Sequence, residues 1–275
     1  MSIKSFLRDI IRPIALGSAK KIENVGGAIY ASYSEALKEC GDGYEESDLV
    51  KVVVQKNLIF KEELSLHDPQ RFDLWTLRTL IGLGLIQKQE INVLDLGGGG
   101  GYHYFIAQAA FGKKIGLRWN VVETQAMVNE AKRLESENLR FFDNINDATG
   151  DLGRVDLAFS SGTLCYVPNP YLFLRDLTNV NSQHLFITRT PLITGGNTDQ
   201  VIIQSSSLSA NGPGPLPKGF SDRIVKYPVT FINQKEFERI LSEKYVIKIV
   251  LDEDRAAYFV GTQPIDMFGY FCEVK

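Results

Sequence analysis

The stretch Ile91-Asn92-Val93-Leu94-Asp95-Leu96-Gly97-Gly98-Gly99-Gly100-Gly101 decides how this chain is read. A short apolar run carries an acidic residue and ends in five consecutive glycines. From Tyr102 to Phe111 an Ala-rich apolar pattern resumes at helical spacing. The reading is strand, tight loop, helix. Glycines belong where a backbone turns sharply and lies against a ligand with no side chain between them. Their spacing separates the ligand classes. A dinucleotide loop needs G-x-G-x-x-G, yet its third glycine would fall on Tyr102, His103 or Tyr104, depending on register. That glycine is the one that lets the helix pack closely on the strand. A phosphate loop would end in Gly-Lys-Ser/Thr, and no such residues follow.

What fits is acidic-x-G-x-G-x-G over Asp95 to Gly101, which resembles motif I of the class I S-adenosylmethionine (SAM) methyltransferases. SAM has no pyrophosphate to seat on a helix N-terminus; it carries an amino-acid tail, a sulfonium cation and a ribose diol. A carboxylate such as Asp95 favours the ammonium and sulfonium side, directly or through water. The backbone of Gly97, Gly98, Gly99 and Gly101 would lie against the methionyl part.

The rest of the chain supplies the setting. Strands are expected at Asn92–Leu96, Leu117–Val122, Leu139–Phe142, Val155–Phe159 and His184–Thr188, with two more near Tyr245–Leu251 and Gly269–Glu273. Helices are expected through Met127–Glu135, from Pro170 with Asn169 as cap, and over Gln234–Ser242 with Asn233 and Glu236 at capping-box spacing. This alternation predicts an α/β fold: a seven-stranded, mostly parallel sheet with helices on both faces, of the Rossmann-like class I methyltransferase type. Residues 1–88 read as a mainly helical cap region, with helical spacing at Ser34–Glu39, Glu45–Phe60 and Asp68–Leu83, and residues 89–275 as the SAM-dependent domain. The long connection from Arg189 to Asn233, with its Gly212-Pro213-Gly214-Pro215-Leu216-Pro217 run, reads as a substrate loop or lid.

Ligands of open parallel sheets bind outside the carboxyl ends of the strands. Glu123 ends the second strand and is placed to accept from both ribose hydroxyls. Asp143 and Asn144 follow the third strand and suit the adenine amino group, although turn formers are common there too. Ser160, Ser161 and Gly162 end the fourth strand, where the methyl would face its acceptor, and the two serines are expected among the cofactor-binding residues. The chain lacks the D/N-P-P-Y sequence of many DNA amino-methylating enzymes.

Several segments together are more specific: Arg118 to Glu123 after the glycines, Leu139 to Phe142, Ser160 to Tyr171, Arg189-Thr190-Pro191, Gln204 and Tyr227-Pro228. With Tyr33 to Tyr44 they make the chain resemble a family of bacterial SAM-dependent methyltransferases whose members often accompany genes for surface polysaccharide synthesis. The resemblance covers most of the chain, with departures at Cys165 and at His67-Asp68. It implies SAM as cofactor, Asp95, Gly97, Gly99 and Glu123 among its ligands, and a small-molecule acceptor, a sugar or sugar-nucleotide hydroxyl. Such an acceptor needs alignment with the methyl and a general base. His103 and His67 are candidates for the base, Tyr166 for positioning, and Arg189 for bidentate binding of an anionic acceptor. The alternative is a SAM- or nucleotide-binding fold without chemistry, acting as a partner or scaffold.

Composition excludes little else. The 275 residues carry a net charge of −3, with 44% hydrophobic and 23% charged residues. This is an ordinary globular composition and no nucleic-acid partner is expected. No metal site is expected. Cys40, Cys165 and Cys272 are dispersed and odd in number, which predicts free thiols in a cytoplasmic protein. No transmembrane run is present. The first residues place Lys4, Arg8, Arg12, Lys20 and Lys21 beside an apolar set of Phe6, Leu7, Ile10, Ile11 and Ile14. That pattern suits a helix packed on the domain, or on a second subunit of a homo-oligomer, better than a membrane-surface anchor.

Overall fold

A computed structural model describes residues 22–24, 27–41, 43–66, 72, 76–196, 198–254 and 257–275. The basic N-terminal segment, His67 and Asp68 lie outside the described residues. The chain forms β1 (Ile22–Asn24), α1 (Tyr33–Leu37), α2 (Ser47–Leu66), α3 (Leu77–Gly84), β2 (Glu90–Leu96), α4 (Tyr102–Phe111), β3 (Gly116–Val122), α5 (Gln125–Ala131), β4 (Leu139–Phe142) and α6 (Ile145–Leu152). It continues with β5 (Leu157–Ser161), α7 (Pro170–Asn179), β6 (His184–Ile193), β7 (Gln200–Ser207), β8 (Ile224–Asn233), α8 (Gln234–Lys244), β9 (Tyr245–Asp252), β10 (Ala257–Val260) and β11 (Gln263–Val274).

Seven strands make the core of the sheet, in the order β4-β3-β2-β5-β6-β11-β9. From β4 to β6 every pairing is parallel, and β11 runs antiparallel to both of its neighbours. This is the expected mostly parallel sheet. The chain leaves β2 toward β3 and β4, then returns to the other side of β2 with β5. The strand order therefore reverses between β2 and β5, where such sheets hold ligands.

Both faces are buried, which suits a parallel sheet. Period-two alternation sends Ile91, Val93, Trp119, Val121, Phe159 and Phe186 into one core, with Leu83, Tyr104 and Met127 from the helices of that face. Leu94, Leu96, Ala158, Leu185 and Ile187 enter the other, against Leu174, Phe237 and Leu241. Helices α2 and α3 contribute Val50, Val54 and Leu83 to the first core. Asn169 and Asn233 cap their helices as expected, accepting from the amides of Leu172 and of Lys235 and Glu236.

Two expectations change. The connection after β6 is largely an antiparallel ribbon of β7 and β8, whose end joins β6 in parallel register. The alternation of Val225, Tyr227, Val229 and Phe231, all buried, produces it. Most of the irregular chain lies between those strands, and Lys56 of α2 anchors that part by donating to Ser209 O at 2.5 Å. The fourth core strand also runs two residues farther than read, so Ser160 and Ser161 are sheet residues.

Helix α3 crosses the sheet closely enough that a Cβ on Gly82 would overlap the Phe186 ring. Phe186 is fully buried and cannot move aside. Gly82→Ala is therefore expected to destabilise by about 1–3 kcal/mol through overpacking, against a helix-propensity gain of about 1 kcal/mol. Gly150→Ala in α6 meets open space and should stabilise by about 0.5–1 kcal/mol. Thermal melts of the pair would show opposite signs.

Candidate functional site

The carboxyl ends of β2, β3, β4 and β5 surround a cleft of about 900 Å³. Its wall includes Leu96, Gly97, Glu123, Thr124, Met127, Asp143, Asn144, Gly162, Thr163 and Tyr166, with Tyr44 from the N-terminal region. Glu123, Asp143 and Asp176 contribute three carboxylates, and among the described residues that line it there is no lysine, arginine or histidine.

The glycine loop is held by the protein itself. Gly97 has φ 76°, and a Cβ there would overlap the Thr163 side chain, whose Oγ1 donates to Gly97 O at 3.2 Å. A Cβ on Gly98 would strike the Asp95 carboxyl, and one on Gly100 would stand 2.9 Å from Asn57 Nδ2 on α2. The loop is thus squeezed between a carboxylate beneath it and a helix above it.

Asp95 lies on the apolar face of β2 that also receives Trp119 and Phe159. It is 0% exposed. Its Oδ2 accepts from Trp119 Nε1 at 3.0 Å, while Oδ1 has no partner. Burial pushes its pKa up to about 8, the indole bond opposing and the nearby Glu123 charge adding to the rise. Asn57 Oδ1 is a second buried oxygen without a partner, on the helix that meets the loop. Glu123 ends β3 as expected. Its Oε1 accepts from Gly99 N at 2.9 Å and its Oε2 from Thr124 N at 3.0 Å. Burial still raises its pKa, against both amide bonds. Each oxygen keeps a lone pair for another donor.

Asp143 and Asn144 both reach the cleft. Asn144 is also the N-cap of α6, accepting from Asp147 N at 2.9 Å and donating to Asp143 Oδ1 at 2.9 Å. Ser160 and Ser161 do not line the cleft. Ser160 Oγ donates to Leu96 O, tying β5 to the end of β2. Ser161 is buried with its hydroxyl unpartnered. Gly162 and Thr163 form the wall in their place.

Of the proposed catalytic side chains, His103 points into the core. Its Nδ1 shares a 2.6 Å hydrogen bond with Thr79 Oγ1, and its ring packs edge-on against Phe159. Burial, with Arg189 and Arg78 nearby, lowers its pKa to about 3 and keeps it neutral. Tyr166 reaches the cleft and donates to Gln204 Oε1 at 3.2 Å, packing with Tyr44 and Tyr227. Burial raises its pKa, and it pushes Cys165 up to about 12. Arg189 is exposed and adopts φ 55°, a conformation that costs an ordinary L-residue about 1–2 kcal/mol. Its guanidinium lies against Gly162, where a Cβ would come within 3.1 Å of Cζ. Cys40, Cys165 and Cys272 are free thiols, as expected.

Sequence reasoning missed Thr163 and Tyr44 as lining residues and Asn57 as the side chain packed over Gly100 of the loop. Thr163 adjoins the Ser160-Ser161-Gly162 segment, which made it findable; Asn57 carries no local signal.

No family model and no curated protein matches the sequence. In structure the chain is similar to a SAM-dependent methyltransferase from Aquifex aeolicus, with 18% identity and a TM-score of 0.40 over 74% of this chain and 94% of that one. It is similar to an S-adenosylmethionine-dependent methyltransferase from Clostridium acetobutylicum, with 13% identity and a TM-score of 0.45 over 74% and 92%. A third is the Burkholderia thailandensis 1,6-didemethyltoxoflavin-N1-methyltransferase, with 14% identity and a TM-score of 0.44 over 94% and 97%; that protein holds 1,6-didemethyltoxoflavin and S-adenosylhomocysteine. Among the described residues no helix is long and apolar enough to cross a membrane.

The buried Asp95 gives a pH signature. It holds its proton to about pH 8 when folded and releases it at about pH 4 when unfolded. In that window the native state binds more protons, so stability falls as pH rises. Asp95→Asn removes the titration. Its melting temperature relative to wild type should climb between about pH 5 and 8 and level off above, as paired melts in the absence of ligand would record. A constant difference would mean that Asp95 titrates normally.

Proposed function

We propose that the protein is a SAM-dependent methyltransferase acting on a small polar acceptor, a sugar or sugar-nucleotide hydroxyl. The observation that carries the reading is the charge of the cleft at the β2/β5 reversal: three carboxylates and no cationic side chain among the described lining residues. A pyrophosphate would meet repulsion there, whereas a sulfonium and an ammonium would meet attraction. The residues present fit the cofactor. Glu123 has acceptor capacity for the ribose diol after bonding Gly99 and Thr124. Asp143 and Asn144 stand on the adenine side. Of the glycine loop, Gly97 walls the cleft and offers its backbone to the methionyl part, while Gly98, Gly99 and Gly101 are not among the lining residues. The unpartnered Oδ1 atoms of Asp95 and Asn57 are acceptors flanking that loop.

When bound, SAM supplies a methyl group made electrophilic by its sulfonium. The chain's part is alignment, which by itself is worth several powers of ten. The described part of the N-terminal region acts as a cap: α2 lies on the glycine loop, and Tyr44 closes the cleft beside Tyr166. Tyr166, fixed by Gln204 and by Tyr33, whose hydroxyl donates to Tyr166 O at 2.8 Å, positions the acceptor rather than deprotonating it. The free thiols fit a cytoplasmic setting. A surface-polysaccharide precursor is the acceptor class that the resemblance suggests.

Calorimetry with S-adenosylhomocysteine tests the cofactor assignment. Saturable binding is expected, and Glu123→Ala should weaken it by at least about ten-fold, the loss of charge-assisted hydrogen bonds. Folded protein that shows no binding would end the reading. Binding without turnover on any acceptor would favour the scaffold alternative.

A further inference from the structure

Strand β6 carries a bulge beside Gly162 of the cleft wall. Thr190 faces Phe268 of β11 and Ile187 faces Tyr270, so Thr188 and Arg189 together oppose Gly269. Bulges re-aim side chains beside active sites, and the φ of 55° at Arg189 belongs to this one. A single carboxylate holds it. Glu253, 3% exposed, accepts from the Arg189 backbone amide with Oε2 at 2.5 Å and from the Thr188 hydroxyl with Oε1. Its Oε1 also pairs with Arg78 Nε at 3.1 Å. Gly269 makes room, since a Cβ there would come within 2.8 Å of Glu253 Oε1. The carboxylate is thus engaged with the Arg189 backbone and with Arg78. The Arg189 guanidinium has no hydrogen-bond or ion-pair partner among the described residues, is exposed, and lies on Gly162. Gly162 also walls the cleft. Charge is therefore segregated: carboxylates on the cofactor side of this wall, and at Gly162 a planar cation with no side-chain partner among the described residues.

We propose that Arg189 is the oxyanion-binding residue of the acceptor site and Glu253 its positioning residue, so that the acceptor carries a phosphate or a carboxylate. The inference rests on the methyl-transfer reading and narrows it from any hydroxyl compound to an anionic one. The guanidinium fork matches the paired oxygens of either group. Its strained backbone persists because Glu253 holds the amide in place, as expected of pre-organised sites.

The test uses the full chain saturated with S-adenosylhomocysteine and titrated calorimetrically with glucose 1-phosphate, glucuronate and glucose at constant ionic strength. At least one anionic sugar should bind about ten-fold or more tighter than glucose, as charge-assisted hydrogen bonds allow. The tighter of the two identifies the oxyanion. Arg189→Gln should erase that preference while leaving S-adenosylhomocysteine affinity within about two-fold, as expected for a group outside the cofactor contacts. Arg189→Gly, which suits the positive φ and should fold at least as well, should erase it too. Glu253→Gln places an amide donor or a weakened acceptor at the Arg189 N–H and should shrink the preference with the guanidinium still present. Wild-type protein without anion preference, or either Arg189 variant retaining it, overturns the proposal. Failure to bind S-adenosylhomocysteine would instead overturn the cofactor reading.

Discussion

The structure depends on a backbone loop that has no room for side chains at three of its five glycines. Residues 97–101 leave β2 between the Asp95 carboxyl, the Thr163 side chain and Asn57 of α2, and a Cβ at Gly97, Gly98 or Gly100 would overlap one of them. The glycines are needed first by the protein's own packing. One consequence is that strand, loop and N-terminal helix are fixed together, so α2 cannot be displaced without loosening the cleft. Another is that Glu123, by accepting from Gly99 N, ties the loop to the end of β3. The two strand ends that would share a cofactor are bridged before it arrives, which is the meaning of pre-organisation in such a site.

Burial makes that arrangement costly, and the cost is informative. Asp95 sits on an apolar face with one oxygen unpaired, and its pKa rises to about 8. Glu123 is raised as well. Two carboxyls disfavoured as anions, Glu123 in the cleft wall and Asp95 buried beneath the loop, are groups that a neighbouring positive charge would stabilise. The same Coulomb argument runs the other way at Gly162, where the Arg189 guanidinium lies without a hydrogen-bond or ion-pair partner among the described residues. A methyl donor is cationic and loses that charge on transfer; on the reading proposed above, carboxylates by the donor and a cation by the acceptor would separate the two ligands by sign.

The sequence by itself determined the core of the sheet and the strand ends around the cleft. The period-two apolar runs, the glycine loop and the caps at Asn169 and Asn233 are local signals, and the structure reproduces them. Glu123, Asp143 and Asn144 were legible because strand ends can be found from periodicity, and strand ends of a parallel sheet converge. Ser160 and Ser161 were misplaced because the end of a buried strand has no marker of its own; Gly162, at φ 68°, is where the chain turns. The β7–β8 ribbon was hidden behind its Gly-Pro run, although its alternation was present. What only the tertiary structure decided involves partners distant in sequence: Asn57 over Gly100, Thr79 fixing a neutral His103 in the core, and Glu253 reaching the bulge at Arg189. The physical reason is that such contacts depend on the crossing of helices and the register of β6 with β11, and neither leaves a periodic trace in the chain.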